Sequence, residues 1–286
     1  MEYQVIENIN ISLTYYKLIL RIPSNAKLPL PGQFYTVRCG ETKEPLLRRP
    51  FSMHRLDKKG EADHLEILYR VVGKGTDWLS RRKAGEKVDA IGPLGNGFHF
   101  QEDVPNVILV ARGIGLAPLY SVAESVCMRD QGAEIFILMG AKTEERLFYE
   151  KECRQIGRTF FYTDDGSKGF QGNGPQLLMH LMASKQLPQR LSMYACGPSH
   201  MLRDLANISE EFDLPGQVAL EEHMGCGLGV CLSCVCPLRA NSIRRNQHWK
   251  KPSLHWSADG SRVYSLICKD GPVYDIQEVE WDEWLA

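Results

Sequence analysis

The feature that most constrains this chain is a run of closely spaced cysteines, EEHMGCGLGVCLSCVC, from Glu221 to Cys236. Cys226, Cys231 and Cys234 have the spacing C-x4-C-x2-C. A further cysteine, Cys268, follows in SLICKDGPVYD. Plant-type ferredoxins hold a 2Fe-2S cluster with this spacing, the fourth ligand coming from further along the chain. The interleaved glycines let the backbone wrap closely around inorganic sulfide, so the pattern predicts an iron–sulfur cluster.

Other uses of these cysteines stay open from the residues alone. Structural zinc usually takes two C-x2-C pairs or a Cys/His mixture, and this stretch has one such pair. Reactive thiols are a second alternative, and a disulfide is disfavoured in a reducing compartment. Cys236 is a fifth cysteine. If this stretch continues as a strand, alternation puts its side chain on the same face as that of Cys234, so spacing does not exclude it as a ligand. We rank Cys268 above Cys236 as fourth ligand, because otherwise all four ligands come from one short stretch.

Composition excludes several classes of partner. A formal net charge of −1 over 286 residues gives no electrostatic reason to expect nucleic acid or an acidic membrane surface. The N-terminal segment has no apolar core flanked by positive charge, as a secretion signal would. The most apolar window, Val104 to Val122, is interrupted by Arg112, glycines and prolines. We therefore expect a cytoplasmic protein with neither a nucleic-acid nor a membrane partner.

Two patterns of hydrophobic residues divide the chain into regions. Up to about Phe100, short β segments such as YYKLILRI alternate with turns such as Pro31-Gly32, which predicts a small antiparallel β-barrel, with a β-sandwich as the alternative. From Val104, strands such as VPNVILVAR alternate with helical stretches, which predicts a doubly wound parallel sheet. From about Glu221 the chain is too short for an apolar core of its own. We therefore expect a multi-domain β plus α/β protein.

Two short motifs in the β region are typical of a diphosphate site. RRPFS, residues 48–52, follows a predicted strand, and VGKGT, residues 72–76, precedes a predicted helix. A guanidinium, a hydroxyl and a glycine-opened helix start can hold a diphosphate by charge-assisted bonds and backbone N–H groups. Each motif alone could be an ordinary turn. Their joint presence in a small β domain favours a flavin diphosphate.

Two turns end strands of the predicted parallel sheet. GIGLAP, residues 113–118, follows the first strand, and Cys196-Gly197-Pro198 ends a later one. Open parallel sheets bind ligands at the carboxyl ends of their strands, so these turns indicate a nucleotide site. Tight strand-to-helix turns need glycine and proline in any case. We find no His/Asp/Ser or paired-carboxylate arrangement and predict no catalytic acid, base or nucleophile.

The order RRPFS, GKGT, GPLGNGF, GIGLAPL, YACGP and CGLGVCLSCVC resembles the ferredoxin reductase superfamily. More closely, the chain resembles the electron-transfer subunits of class B dihydroorotate dehydrogenases, through GAKTEERLFYE, YTDDGSKGF, LEEHMGCG and CKDGPVYD. The resemblance covers nearly the whole chain. It implies an FAD-binding barrel in residues 1–101, an NAD-binding α/β domain in 102–220 and a 2Fe-2S domain with an extended basic hairpin in 221–286.

The resemblance also assigns roles to residues. The flavin and its diphosphate would be contacted by Arg49, Pro50, Phe51, Ser52, Gly73, Gly75 and Thr76. The nicotinamide side would be lined by Gly113, Gly115, Pro118, Cys196, Gly197 and Pro198. The iron would be ligated by Cys226, Cys231, Cys234 and Cys268.

The chain departs from the family pattern in three places. Ala111-Arg112 stands where the family has a glycine run, so a cation either contacts a phosphate or obstructs the site. The segment from Ala240 to Arg262 is longer than the family hairpin; it is basic and contains Trp249 and Trp256, which suits either a solvated loop or a docking surface beside the cluster. The tail EVEWDEWLA packs on the body or on a partner.

The function implied is an electron relay from NAD(H) through FAD and the cluster to a partner oxidoreductase subunit in a hetero-oligomer. In the family that partner is an FMN-containing dihydroorotate dehydrogenase of pyrimidine biosynthesis, on which the substrate chemistry takes place. A related subunit serving another flavoprotein, a hydrogenase or a ferredoxin-linked oxidoreductase is the alternative. A module that keeps the fold without nucleotide turnover is an alternative of another class.

Overall fold

The computed structural model describes residues 1–42, 44–59, 62–100, 104–130, 132–243 and 251–285. Its first six strands close into an antiparallel barrel in the order β1-β2-β5-β4-β3-β6. The strands are β1 (Glu2–Ser12), β2 (Tyr15–Arg21), β3 (Phe34–Val37), β4 (Arg49–Lys59), β5 (Ala62–Arg70) and β6 (Lys87–Leu94). Helix α1 (Lys74–Ser80) connects β5 to β6. The predicted barrel is confirmed, and the β-sandwich alternative is wrong because the sheet is closed.

The alternation of side chains explains the barrel interior. Along β2, Leu18 and Leu20 are fully buried while Arg21 is exposed, as period-two alternation requires. Aromatic rings fill the space between the strands, and Tyr3 and Tyr35 meet edge to face with ring centroids 5.9 Å apart. The interior is therefore packed with side chains, which leaves a ligand only the outer surface and rim of the barrel.

A seven-stranded sheet follows in the order β10-β9-β8-β7-β11-β12-β16, parallel except for its last strand. Its strands are β7 (Val107–Arg112), β8 (Ile135–Ala141), β9 (Arg158–Thr163), β10 (Phe170–Gln171), β11 (Ser192–Cys196), β12 (Gly216–Ala219) and β16 (Val273–Asp275). Its helices are α2 (Leu116–Arg129), α3 (Glu150–Ile156), α4 (Gly174–Ala183) and α5 (Ser199–Glu211).

Both faces of this sheet are covered. Along β7, Ile108 and Val110 pack with α4 and α5, whereas Leu109 and Ala111 pack with α2 and α3. This is why the strand reads as a continuous apolar run. The predicted doubly wound sheet is confirmed. Because β7 has β8 on one side and β11 on the other, the strand order reverses at β7, and a crevice opens at its carboxyl end.

The last segment shares its core with the parallel sheet. It contains α6 (Ala240–Ile243), α7 (Ile267–Asp270) and α8 (Trp281–Trp284), and a three-stranded sheet of β13 (Val235–Leu238), β14 (His255–Trp256) and β15 (Val263–Leu266). Leu238, Val263 and Trp281 join the apolar cluster that includes α4 and α5. The segment also supplies β16, so it does not depend on an apolar core of its own.

The boundaries 1–101, 102–220 and 221–286 stay predictions. Of the basic segment, residues 244–250, including Arg244, Arg245, Trp249 and Lys250, lie outside the described residues. The tail packs on the body, since Trp281 is 2% exposed and its indole N–H donates to the carbonyl of Ile276. Among the helices described, none has the length and apolar content needed to cross a membrane.

Candidate functional site

A cavity of about 510 Å³ opens between the barrel rim and the parallel sheet. Five of the residues predicted for the flavin line it: Arg49, Pro50, Phe51, Ser52 and Thr76. The opposite wall is the segment 220–224, which leads directly into the cysteine loop. Tyr69 and Arg70 at the end of β5 also line the cavity, and no motif in the sequence marked them.

The turn before α1 is shaped by its threonine. The Oγ1 atom of Thr76 accepts hydrogen bonds from the backbone N–H groups of Val72, at 2.9 Å, and Gly73, at 3.2 Å. Gly75 packs closely, since a Cβ there would lie 3.4 Å from Arg49 Nε and 3.3 Å from Cys39 Cβ, and these neighbours would have to shift slightly. Gly73 has extended backbone and open space around it, so sterics alone do not demand glycine there. The turn holds Arg49 against the helix at the cavity rim.

The two predicted nucleotide turns meet backbone to backbone at the end of β7. Gly113 has φ +55°, the left-handed region that favours glycine. A Cβ on Gly115 would lie only 2.1 Å from the carbonyl oxygen of Cys196. Pro118 is buried in the first turn of α2. Pro198 directly precedes α5, and Gly197 lies against Met201 and Arg112. The structure thus brings all six predicted residues to one sheet edge, as the sequence indicated.

Arg112 does not point freely into this crevice. Its Nη1 and Nη2 donate to Oδ1 and Oδ2 of Asp164 at 2.8 and 2.6 Å. This bond raises the pKa of the Arg112 guanidinium and lowers the pKa of the Asp164 carboxyl. Nearby, burial raises the pKa of the Cys196 thiol well above its usual range, so that thiol is neutral at physiological pH.

Three of the four predicted cluster ligands lie in the loop 226–234, the cluster loop, and the fourth, Cys268, lies beside it on α7; hydrogen bonds arrange the four in two pairs. The N–H of Cys226 donates to Sγ of Cys231 at 3.3 Å, and the N–H of Cys268 donates to Sγ of Cys234 at 3.4 Å. The N–H of Gly229 donates to Sγ of Cys268 at 3.1 Å and joins the pairs. Two thiolates for each of two irons is the donor set of a 2Fe-2S cluster. In the described part of the chain, no three Cys, His, Asp or Glu side chains converge as ligands of a single ion.

Backbone donors surround these sulfurs. Sγ of Cys226 accepts from the N–H groups of Leu228 and Val230, each at 3.3 Å. The hydroxyl of Ser233 lies 3.2 Å from Sγ of Cys231 and is the main cause that lowers the pKa of this thiol to about 6. Donors that stabilise thiolate favour iron binding and tune an iron–sulfur centre. Sequence reasoning overlooked Ser233, although its place between two cysteines was a usable signal.

Cys236 lies apart from this arrangement. It is fully buried, its register partner across β13 and β15 is Ser265, and its Sγ donates to the carbonyl of Pro237 at 3.6 Å. Burial raises the pKa of its thiol, and contact with Cys234 raises the pKa of the Cys268 thiol too, so the contacts and not the pKa values separate the two cysteines. Cys268 rather than Cys236 therefore stands beside Cys234.

The described part of the basic segment is tied to the protein body. Lys251 is 6% exposed and pairs with the buried carboxylate of Glu278. Arg262 contacts Glu283 at 3.4 Å, and Trp256 keeps 46% of its surface exposed. Lys251 belongs to the segment that we expected to be solvated or to dock a partner, but it is buried in an ion pair with the protein body.

Family models match two parts of the chain. Residues 109–207 match the oxidoreductase NAD-binding domain, and residues 221–248 match the iron-sulfur cluster binding domain of dihydroorotate dehydrogenase B. The second match contains Cys226, Cys231 and Cys234.

Relatives match along nearly the full length. The chain is 37% identical over 271 residues to the electron transfer subunit of dihydroorotate dehydrogenase B (NAD(+)) of Desulforamulus reducens, covering 94% of this chain and 93% of the relative. It is 34% identical over 277 residues to the corresponding subunit of Bacillus cereus strain Q1, covering 96% of each.

Solved structures agree. An NADH-dependent reduced ferredoxin-NADP oxidoreductase, studied for flavin-based electron bifurcation, superposes with a TM-score of 0.76 at 27% identity, over 99% of this chain and 91% of that chain. The ferredoxin reductase of carbazole 1,9a-dioxygenase shares the fold, with a TM-score of 0.63 at 18% identity over 75% of this chain and 66% of that one. Together these similarities confirm the predicted oxidoreductase class and its cofactors FAD, a 2Fe-2S cluster and NAD(H). The chain belongs to the family of electron transfer subunits of dihydroorotate dehydrogenase B.

Proposed function

We propose that this chain relays electrons between NAD(H) and an FMN-containing dihydroorotate dehydrogenase subunit, with which it forms a hetero-oligomer. The observation that carries the proposal is the continuity of the sites. The segment 220–224 lines the cavity and reaches the first cluster cysteine two residues later. The nucleotide turns begin next to the same cavity, because Ile114 and Ala117 line it. The proposed nucleotide site, the flavin cavity and the cluster cysteines therefore adjoin one another.

The residues of the chain have distinct parts in this proposal. Arg49, Ser52 and the turn formed by Gly73, Gly75 and Thr76 hold the flavin diphosphate, while Pro50 and Phe51 pack against the flavin. The nucleotide crevice is formed by Gly113, Gly115, Pro118, Cys196, Gly197 and Pro198. The cluster ligands are Cys226, Cys231, Cys234 and Cys268. When bound, a flavin takes up an electron pair as hydride and releases single electrons, which a one-electron cluster requires.

The packing of the cluster loop against the barrel supports electron passage between the flavin cavity and the cluster. A Cβ on Gly227 would lie 2.6 Å from Cγ2 of Thr36 on β3, the strand whose Phe34 lines the cavity. The opposite side of the loop faces solvent, where Leu228, Val230 and Leu232 are exposed. An apolar, exposed rim is suited to a partner surface. We propose this side as the exit to the partner. The cytoplasmic location and the absence of membrane or nucleic-acid partners stay predictions.

The test is anaerobic mixing of the purified, cofactor-loaded chain with NADH. We expect flavin absorbance to bleach first and the cluster absorbance to decrease afterwards. Addition of the dihydroorotate dehydrogenase catalytic subunit from the same cell should then allow dihydroorotate to reduce NAD⁺. Absence of flavin reduction by either NADH or NADPH would contradict the relay.

Another partner is the second candidate. The full-length likeness to the NADH-dependent reduced ferredoxin-NADP oxidoreductase favours it, because that protein is named for ferredoxin and NADP and not for dihydroorotate. Co-purification from the native cell distinguishes the two. Recovery of a subunit other than dihydroorotate dehydrogenase would support the alternative while leaving the relay intact.

A further inference from the structure

The bridge between Arg112 and Asp164 spans the carboxyl edge of the parallel sheet. Arg112 ends β7 and Asp164 follows β9, while β8 lies between these strands. Opposite Arg112 on β8 stands Gly140, where a Cβ would lie 1.9 Å from Cζ of Tyr162. The Tyr162 hydroxyl donates to the carbonyl of Ala111 at 3.1 Å. The Tyr162 ring therefore packs on the sheet beside the bridge. The bridge runs over Gly140 from the end of β7 to the residue after β9.

The bridge starts where the two nucleotide turns meet. Arg112 directly precedes Gly113, and a Cβ on Gly197 would lie 3.2 Å from Cβ of Arg112. Ligands of open parallel sheets lie outside the carboxyl ends of the strands, at the point where strand order reverses. A dinucleotide whose diphosphate lies at residues 113–115 and which extends along the edge toward β9 must pass this bridge.

The two partners have opposite preferences for a ribose. A carboxylate accepts a hydrogen bond from a ribose 2′-hydroxyl, whereas a guanidinium binds a 2′-phosphate. In the bridge, two of the five donors of Arg112 are committed to Asp164. The carboxylate has acceptor sites left for a hydroxyl, since its two oxygens offer about four lone-pair positions. The side chain of Arg112 is 17% exposed, and that of Asp164 is 45% exposed.

We propose that Asp164 selects NAD(H) over NADP(H) by holding Arg112, so that a 2′-phosphate meets a carboxylate instead of a guanidinium. This inference rests on the proposed nucleotide site and assigns its specificity to a residue pair. Arg112 thereby neither obstructs the crevice nor serves as a phosphate ligand in the native protein.

Asp165 and Lys168 have other partners, whereas Lys142 is a second cation near Asp164 whose charge also lowers the pKa of that carboxyl. Asp165 accepts from the N–H and the hydroxyl of Ser167 at 3.0 and 2.6 Å, which closes the turn after β9. Lys168 contacts Glu150 at 2.6 Å and Glu144 at 3.3 Å. Asp165 thus carries the same charge as Asp164 in the same turn but takes no part in the bridge. This makes Asp165→Asn the matched control.

The experiment is isothermal titration of the cofactor-loaded chain with ADP-ribose and with 2′-phospho-ADP-ribose, which need no electron transfer. The native protein should bind ADP-ribose at least about tenfold more tightly, the effect of one charge-assisted contact. Asp164→Asn releases Arg112 and should lower the preference for ADP-ribose over 2′-phospho-ADP-ribose by about tenfold. The two ligands should then bind about equally, or the phosphorylated one more tightly. Asp164→Ser should act in the same direction. Asp165→Asn should leave the ratio within about twofold, and Arg112→Ala with Asp164→Asn should lose the gain for the phosphorylated ligand.

Each remaining outcome has a defined meaning. An unchanged ratio in both Asp164 variants, with ADP-ribose still bound, overturns the bridge proposal alone. Tighter binding of both ligands by Arg112→Ala means that Arg112 obstructs the site and also overturns it. If the native protein binds neither ligand, the proposed nucleotide site fails, and the selection proposal fails with it.

Discussion

The sulfurs of the cluster loop differ from that of Cys236 in the backbone groups that reach them. Cys226, Cys234 and Cys268 accept N–H groups from the loop or from each other, as thiolates bound to iron would. The Cys236 thiol donates to a backbone carbonyl in the apolar core, the role of a neutral thiol. At the residue scale, these hydrogen bonds favour Cys268 over Cys236, and the choice of fourth ligand stays a prediction.

Paired serine variants test this assignment. Cys268→Ser should lose or alter the 2Fe-2S absorbance and electron paramagnetic resonance signal, because a hydroxyl is a poor substitute for one of four thiolates. Cys236→Ser should keep the native spectrum and lose about 1–3 kcal/mol of stability, because it buries a hydroxyl in an apolar site. A native spectrum from Cys268→Ser, with a lost cluster in Cys236→Ser, would reverse the assignment.

At the element scale, the segment before β14 is attached to the body through a buried ion pair. Lys251 and Glu278 are 6% and 2% exposed, and the Lys251 ammonium lies 5.5 Å from the ring centroid of Tyr274. Burial raises the pKa of Glu278, and the Lys251 ammonium opposes this. Deleting residues 240–262 to test docking would therefore also unpair Glu278, so point variants are the better probes.

Removing the ammonium should destabilise the protein. Lys251→Met leaves a buried carboxyl without its cation, a change that costs about 3–5 kcal/mol when a buried pair is broken. The matched control Arg262→Met, which breaks the exposed contact to Glu283, should cost at most about 1 kcal/mol. Thermal unfolding of the cofactor-loaded chain measures both.

The loss in Lys251→Met should also depend on pH. Without the ammonium, the folded-state pKa of Glu278 lies further above its unfolded value, so folding favours the protonated carboxyl and stability falls as pH rises. The destabilisation should be smallest in acid and larger at neutral pH. Equal melting shifts for the two variants, independent of pH, would show that the pair does not anchor the segment.

At the scale of the whole molecule, the cluster loop is held against the barrel by close backbone approach. Gly227 has φ +71°, and a Cβ there would meet the buried Thr36 of β3. Gly260 has a similar φ, +68°, but open space around it. Alanine variants of the two glycines therefore distinguish the effect of backbone strain from the effect of contact between the barrel and the cluster loop.

Gly227→Ala should slow electron passage from flavin to cluster, whereas Gly260→Ala should not. Both variants incur about 1–2 kcal/mol for a non-glycine residue in left-handed backbone. Only Gly227→Ala must also push the loop away from β3. Stopped-flow absorbance after NADH addition measures flavin bleaching and cluster reduction separately. Equal rates of cluster reduction in both variants would contradict a role for this contact.

The sequence alone determined the local features of this protein. These features are the C-x4-C-x2-C spacing, the alternation in the barrel strands and the glycines of the turns. Each depends on residues close along the chain, so the sequence alone predicts it. Arg112 and Asp164 lie 52 residues apart, and Cys234 and Cys268 lie 34 apart. The place of Cys268 beside the cluster loop was already expected from the sequence, whereas only the strand order brought Arg112 to a carboxylate and β16 into the parallel sheet. Local spacing fixes which chemistry is available, and topology fixes which partner each group receives.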